Sequence, residues 1–261
     1  MTIATSAQEA YLSIVVPAYN EERRLPASLA RILCYLDEKP YEGEVIVVDD
    51  GSEDRTVEII RGLLPRHANL RLMENDHRGK GYAVRTGMLA AQGQVVLFCD
   101  ADLAVPIEET ARLLARLEEG YDVVIGSREG LGARRYGEPW YRHLMGRIFN
   151  FLVRIIAVGH FQDTQCGFKC FRGEVARDLF SRLRLYGDQA PTIKGAALTA
   201  FDVEMLFLAL KRGYRVAEVP VEWHYGLRSK VNPVTDSIRH FRDVLAVRIN
   251  EWRGLYREQE R

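Results

Sequence analysis

Val95-Val96-Leu97-Phe98-Cys99-Asp100-Ala101-Asp102 is an apolar run that ends in two carboxylates separated by one small residue. Consecutive large apolar side chains leave no polar face, so the run reads as a strand buried on both sides of a sheet. The same form recurs upstream. Leu12-Ser13-Ile14-Val15-Val16 stops at Pro17 and is followed by Tyr19-Asn20-Glu21, and Val45-Ile46-Val47-Val48 stops at Asp49-Asp50-Gly51-Ser52. Leu70 to Met73 and Asp122 to Ile125 give two further strands. Helical spacing falls between them. It is clearest in Leu25, Leu29, Ile32, Leu33 and Leu36, then in Val57, Ile60, Leu63 and Leu64, with further helices over 82–92 and 107–119. Strands alternating with amphipathic helices predict an α/β fold: a Rossmann-like, mostly parallel sheet with helices on both faces. Such sheets bind ligands beyond the carboxyl ends of their strands, where three acidic clusters converge here. Helix capping accounts for one carboxylate per strand end, but not for the doubled Asp49-Asp50 or for Asp100-Ala101-Asp102.

The chain has 261 residues, 47% hydrophobic and 28% charged, a profile that excludes a disordered chain, a collagen and a coiled coil. No stretch reaches the ~20 apolar residues of a bilayer span; Ile148 to Phe161 is shorter and holds Arg154. The first ten residues have neither a basic start nor an apolar run, so no secretory signal is expected. A cytoplasm-facing soluble or peripheral protein follows. The expected organisation is a flexible stretch over 1–10, one domain over 11–235 with halves at 11–127 and 128–235, and an amphipathic helix over 236–261.

A net charge of zero hides a split. Residues 1–127 hold 13 basic and 21 acidic side chains, and the remainder 23 and 15. The basic second half points to an anionic partner, nucleic acid or a membrane surface, or to chance clustering of solvated charge. Cys34 and Cys99 sit in apolar runs and read as buried, while Cys166 and Cys170 lack the partners of a zinc site.

Beyond Arg128 the pattern changes. A basic, glycine-broken loop carries Arg128, Arg134 and Arg135, and an aromatic-rich helix is expected over Trp140 to Val158. Thr199 and Asp202 have capping-box spacing ahead of a helix that stops at Gly213. Val216 to Val221 reads as a strand. In the tail, Ile238, Phe241, Leu245, Ile249, Trp252 and Tyr256 form one stripe, with arginines off it. That stripe and the 140–161 segment suit either a core-facing helix or an interfacial one.

The chemistry centres on Asp100 and Asp102. Two carboxylates at a strand end can hold a hard divalent cation such as Mg²⁺, which shares its sphere with water and substrate phosphates. Gly79-Lys80-Gly81 is neither a Walker loop nor a dinucleotide fingerprint. It could meet a nucleotide sugar through backbone and ammonium, or simply lead flexibly into the next helix.

Val16-Pro17-Ala18-Tyr19-Asn20-Glu21, Asp49-Asp50-Gly51-Ser52, Arg78-Gly79-Lys80-Gly81 and Asp100-Ala101-Asp102, in that order, resemble the motifs of the inverting family 2 glycosyltransferases with the GT-A fold. Asp163-Thr164-Gln165-Cys166-Gly167-Phe168-Lys169, Phe201-Asp202-Val203-Glu204, and Val219 to Trp223 followed by Ser229-Lys230-Val231 resemble the dolichyl-phosphate β-glucosyltransferase branch, with mannosyl-type polyprenyl-phosphate synthases as near relatives. The resemblance spans about residues 11–250. It implies a nucleotide-sugar donor, UDP-glucose or GDP-mannose, held by Pro17, Ala18, Tyr19, Glu21, Asp50, Lys80, Asp100, Ala101 and Asp102. A cation, Mg²⁺ or Mn²⁺, would sit on Asp102 and Asp100. Arg128, Arg134, Arg135 and Lys230 would hold the phosphate of a polyprenyl acceptor, with Asp100, Asp102 and Arg128 carrying the catalysis. A hydroxyl acceptor would need a base, for which Asp202 is the candidate. The implied partners are the donor, the lipid and the inner face of a membrane, and no nucleic acid. The glucosyl enzymes carry an N-terminal membrane anchor, whereas this chain begins almost at its first strand. A nucleotide-sugar sensor without activity is the reading from another class.

Overall fold

The apolar runs form the strands of one twisted sheet. They are β1 (Leu12–Ala18), β2 (Gly43–Asp49), β3 (Leu70–Glu74), β4 (Val95–Cys99) and β5 (Val123–Ser127). The computed structural model describes residues 10–139, 147, 159, 161–193, 195, 200–226 and 233–257, with backbone alone for 233–240. The expected 1–10 stretch, except Ala10, lies outside these residues, as does the Trp140–Val158 helix apart from Arg147.

Between the strands lie α1 (Leu25–Asp37), α2 (Thr56–Leu63), α3 (Lys80–Ala90) and α4 (Thr110–Glu118). Pro26 falls in the first turn of α1, where no hydrogen bond to its nitrogen is required. The second half supplies β6 (Arg134–Tyr136), β7 (Phe168–Arg172), α5 (Gly173–Ser181), α6 (Phe201–Lys211), β8 (Val216–Pro220), β9 (Glu222–His224) and α7 (Pro233–Trp252).

The sheet order is β3-β2-β1-β4-β7-β5-β8, with β6 and β9 paired as a separate ribbon. All neighbours are parallel except β7, which runs antiparallel to both β4 and β5. Alternate side chains feed two cores, one on each face. Val15, Phe98 and Phe171 point to the side covered by α3, α5, α6 and α7, while Ile14, Leu97 and Phe168 point to the side of α1, α2 and α4. Among the described residues no helix is long and apolar enough to cross a membrane.

Two expectations need correction, and one open reading narrows. Asp202 does not cap α6: the N-cap is Ala200, without a side-chain bond, and Asp202 lies inside the first turn. Asp202 turns inward to a remote lysine instead, and Thr199 lies outside the described residues. Of the two readings of the tail stripe, a core-facing helix or an interfacial one, the exposed side chains fit the second. Val244 and Val247 are buried, whereas Phe241, Leu245, Ile249 and Trp252 are exposed and only Tyr256 of that stripe turns in; the Ile238 side chain lies outside the described residues. Cys34 is exposed, because its apolar neighbours Leu33 and Tyr35 take the inward positions on α1.

Candidate active site

Because β1, β2 and β4 are parallel neighbours, their carboxyl ends open on one edge. There they line a cleft of about 200 Å³. Pro17, Ala18, Tyr19, Glu21, Asp50, Lys80, Asp100, Ala101 and Asp102 all line it, joined by Arg24, His77, Gly79 and Ala83. The first nine are the residues expected from the sequence.

Asp50 is buried and organises the loop before α3. Its carboxylate accepts the backbone N–H of Arg78 at 2.9 Å and of Gly79 at 2.9 Å, and lies 2.8 Å from His77 Nδ1. Burial pushes the Asp50 carboxyl above its ordinary range, and these hydrogen bonds oppose the shift. The His77 ring stacks on Tyr19 with centroids 3.9 Å apart, while its Nε2 lies 2.9 Å from the Gly195 carbonyl. Gly79 has φ +95°, a conformation other residues rarely adopt. Asp50 thus shapes the wall that Tyr19 and His77 present to the cleft.

Asp100 and Asp102 lie just past the end of β4. Lys80 Nζ sits 2.5 Å from Asp100 Oδ1. Asp102 Oδ1 accepts the Ala104 N–H at 3.1 Å, and its Oδ2 lies 3.5 Å from Arg24 Nη1. Burial, and next the Asp100 charge, raise the Asp102 carboxyl. Arg24 is held by Glu21 through two bonds, Nε to Oε2 at 2.6 Å and Nη2 to Oε1 at 2.5 Å. Among the described residues no group of three or more His, Cys, Asp or Glu could hold a metal. Asp100 and Asp102 supply two carboxylate oxygen donors that could hold a hard cation sharing its remaining positions with water and substrate phosphates. This pair does not fit an all-protein cage.

β7 forms the back of the site. Asp100 N–H donates to the Gly167 carbonyl at 3.1 Å, and a Cβ on Gly167 would lie 2.1 Å from Asp100 Oδ2. Two residues on, fully buried Lys169 donates to the Cys166 carbonyl at 2.5 Å and to the Asp202 carboxylate. Burial raises the Asp202 carboxyl while Lys169 and Lys80 oppose the shift. Asp202 does not line the cleft.

Arg128, Arg134 and Arg135, three of the expected acceptor cations, lie outside the cleft lining, and each has a carboxylate. Arg128 makes a fork with Asp163, Nε to Oδ2 at 2.7 Å and Nη2 to Oδ1 at 2.9 Å, beneath the Trp223 ring. Arg128 holds the buried Asp163 carboxyl well below the usual range against the opposing effect of burial. Arg135 pairs with Glu129 at 2.7 Å and Glu138 at 2.5 Å, its guanidinium 5.9 Å from the same ring, and exposed Arg134 reaches Glu222 at 3.3 Å. Lys230 lies outside the described residues.

Arg24, His77 and Asp163 were not singled out from the sequence as site residues in their own right. Arg24 carried a signal, the three-residue spacing from Glu21 at the start of a helix. The contacts of His77 and Asp163 cross about 30 residues of chain, and local periodicity does not report them.

A family model, Glycosyl transferase family 2, matches residues 13–180. Dolichyl-phosphate beta-glucosyltransferase of Drosophila melanogaster is 37% identical over 94% of this chain and 77% of its own. The enzyme of the same name from Dictyostelium discoideum is 34% identical over 95% and 76%. The crystal structure of glucosyl-3-phosphoglycerate synthase from Mycobacterium tuberculosis, in complex with Mn²⁺, UDP and glucosyl-3-phosphoglycerate, superposes with a TM-score of 0.60 at 20% identity. It covers 92% of this chain and 79% of its own, and shows the shared GT-A fold. With its motifs from residues 17 to 102 gathered on one cleft and the family model covering more than half its length, the chain is a glycosyltransferase and belongs to glycosyl transferase family 2.

Proposed function

We propose that this enzyme transfers glucose from UDP-glucose to a polyprenyl phosphate of the dolichyl type, with inversion and with a divalent cation. The observation that carries the reading is the near-full-length identity to enzymes named dolichyl-phosphate beta-glucosyltransferase. The site is compatible with it. Pro17, Ala18, Tyr19 and the wall held by Asp50 would receive the nucleoside, and Asp100 and Asp102 would hold Mg²⁺ or Mn²⁺. The cation supplies charge neutralisation for the departing nucleoside diphosphate.

An acceptor phosphate monoester is ionised near pH 7, so its oxygen needs no base before attacking the anomeric carbon. The new carbon–oxygen bond forms on the face opposite the leaving group, and the diphosphate departs with the electron pair of the broken bond. The commitment of Asp202 to Lys169 supports an acceptor that arrives without a proton to lose. Arg128, bound by Asp163 through Nε and Nη2, and exposed Arg134 would present guanidinium nitrogens to the acceptor phosphate, while Arg135, engaged at all three nitrogens, would add its charge from behind.

A lipid acceptor also requires the protein to reach a membrane. The exposed stripe Phe241, Leu245, Ile249 and Trp252 on α7, beside exposed Arg242 and Arg253, suits peripheral attachment to the cytoplasmic leaflet.

The test is a donor-by-acceptor screen with radiolabelled UDP-glucose and GDP-mannose and butanol extraction of product. Butanol-extractable label from UDP-glucose, dependent on added polyprenyl phosphate, is expected. Label that passes only to a hydroxyl acceptor, or only from GDP-mannose, would overturn the acceptor or the donor respectively.

A further inference from the structure

Each carboxylate of Asp100 and Asp102 already faces a cation of this chain. Lys80 Nζ is 2.5 Å from Asp100, and Arg24 Nη1 is 3.5 Å from Asp102. Two partly buried carboxylates one residue apart repel each other, and bringing counter-ions from α3 and from the start of α1 offsets that repulsion. The two cations differ in freedom. Lys80 is a point charge on a flexible four-carbon stem that can swing within the cleft. Arg24 is clamped, because Glu21 takes Nε and Nη2 and leaves Nη1 aimed at Asp102. That fork geometry gives Arg24 a fixed direction, across the cleft and toward the strand end. Nothing in the packing of α1 requires the Nη1 contact, since the helix starts without a side-chain cap and buries Leu25, Leu29 and Ile32 instead.

We infer that Arg24 and Lys80 serve two anions in turn, first the Asp100 and Asp102 carboxylates and then the diphosphate of the nucleotide sugar. This rests on the reading of the cleft as a site for a nucleoside diphosphate and a divalent cation, and adds Arg24 as a diphosphate-binding residue. A divalent cation arriving alone must displace two internal positive charges from its own ligands and then remain beside them. A diphosphate arriving with it gives both side chains a new partner. Metal and nucleotide therefore bind cooperatively, and the coupling resides in Arg24 and Lys80.

The signature is a pair of effects of opposite sign. In the full chain, Arg24→Met and Lys80→Met should each bind Mn²⁺ alone more tightly than wild type, measured by the loss of free Mn²⁺ electron paramagnetic resonance signal. Each should bind UDP in the presence of Mn²⁺ more weakly by calorimetry, by roughly tenfold, the scale of one charge-assisted hydrogen bond. If Arg24 merely braces Glu21, its variant should lose thermal stability and weaken both ligands together, and that result overturns the inference. Unchanged binding of both ligands overturns it as well. Wild type that binds UDP with Mn²⁺ keeps the underlying reading alive in either case. Wild type that binds neither removes the reading and the inference together.

Discussion

Replacing Gly167 with alanine should disable the enzyme while leaving it folded. A Cβ at this position would stand 2.1 Å from Asp100 Oδ2 and 2.4 Å from its Cγ. The backbone is not strained, so the whole effect is steric. Clearance requires the Asp100 carboxylate to retreat by roughly 1 Å, a misplacement that costs about 10²-fold in rate when it falls on a catalytic group. The fold should suffer less, by about 1–3 kcal/mol for overpacking, because the atom that must move is the end of a side chain rather than backbone. Lys80, 2.5 Å from Asp100 Oδ1, would be displaced with it. Initial-rate measurement of kcat/KM for the donor, alongside a thermal melt, separates the two effects. Turnover within twofold of wild type would show that Asp100 need not stand where β7 holds it, and would refute the reasoning. A melt that collapses together with activity would refute the steric argument in a different way.

On the proposed reading, in which Asp102 would hold the cation, Asp102→Asn should abolish transfer with little change in melting temperature; rate assays with and without chelator check this. Asp202→Asn strands the buried Lys169 charge and should destabilise the fold by about 3–5 kcal/mol in urea titration. The Asp163 carboxyl is depressed in the folded protein, so the stability it contributes is complete above its unfolded value of about 3.9 and is lost as pH falls through the lower folded value. The urea midpoint of wild type should accordingly decline below about pH 4, and that part of the decline should vanish in Asp163→Asn. Phe241→Asp combined with Ile249→Asp should release the protein from sedimenting anionic vesicles without unfolding it, because both side chains face outward on α7; retained binding would exclude this stripe as the contact.

The cleft at the strand ends was legible because its signal is local. An apolar run that stops at acids marks a buried strand and the edge where it ends, so Tyr19, Glu21, Asp50, Asp100 and Asp102 could be placed on one crevice from pattern alone, and the family resemblance added Pro17, Ala18, Lys80 and Ala101. The back of the site was not legible in this way. β7 contains a lysine opposite Phe98, and a fully buried lysine contradicts any hydrophobic pattern until its partner Asp202, 33 residues away, is known. Asp202 misled for the complementary reason. A carboxylate three residues after a threonine has the spacing of a cap whether it faces the helix end or a distant ammonium. Arg128, Arg134 and Arg135 could be recognised as a basic cluster, but sequence spacing does not report that Asp163, Glu222, Glu129 and Glu138 accompany them.

The reversed strand β7 sets where the chain can be divided. β5 and β8 reach β4 only through it, so the strands of residues 11–127 do not form a continuous sheet until residues 168–172 have returned to join them. A cut after Ser127 would leave β4 and β5 as separate exposed edges, with Asp100 deprived of the Gly167 carbonyl behind it. Chimaeras that graft the second half of one relative onto the first half of another therefore need the 163–172 segment to travel with β4 and β5. The modular boundary of this enzyme follows hydrogen-bonded neighbours, not position along the chain.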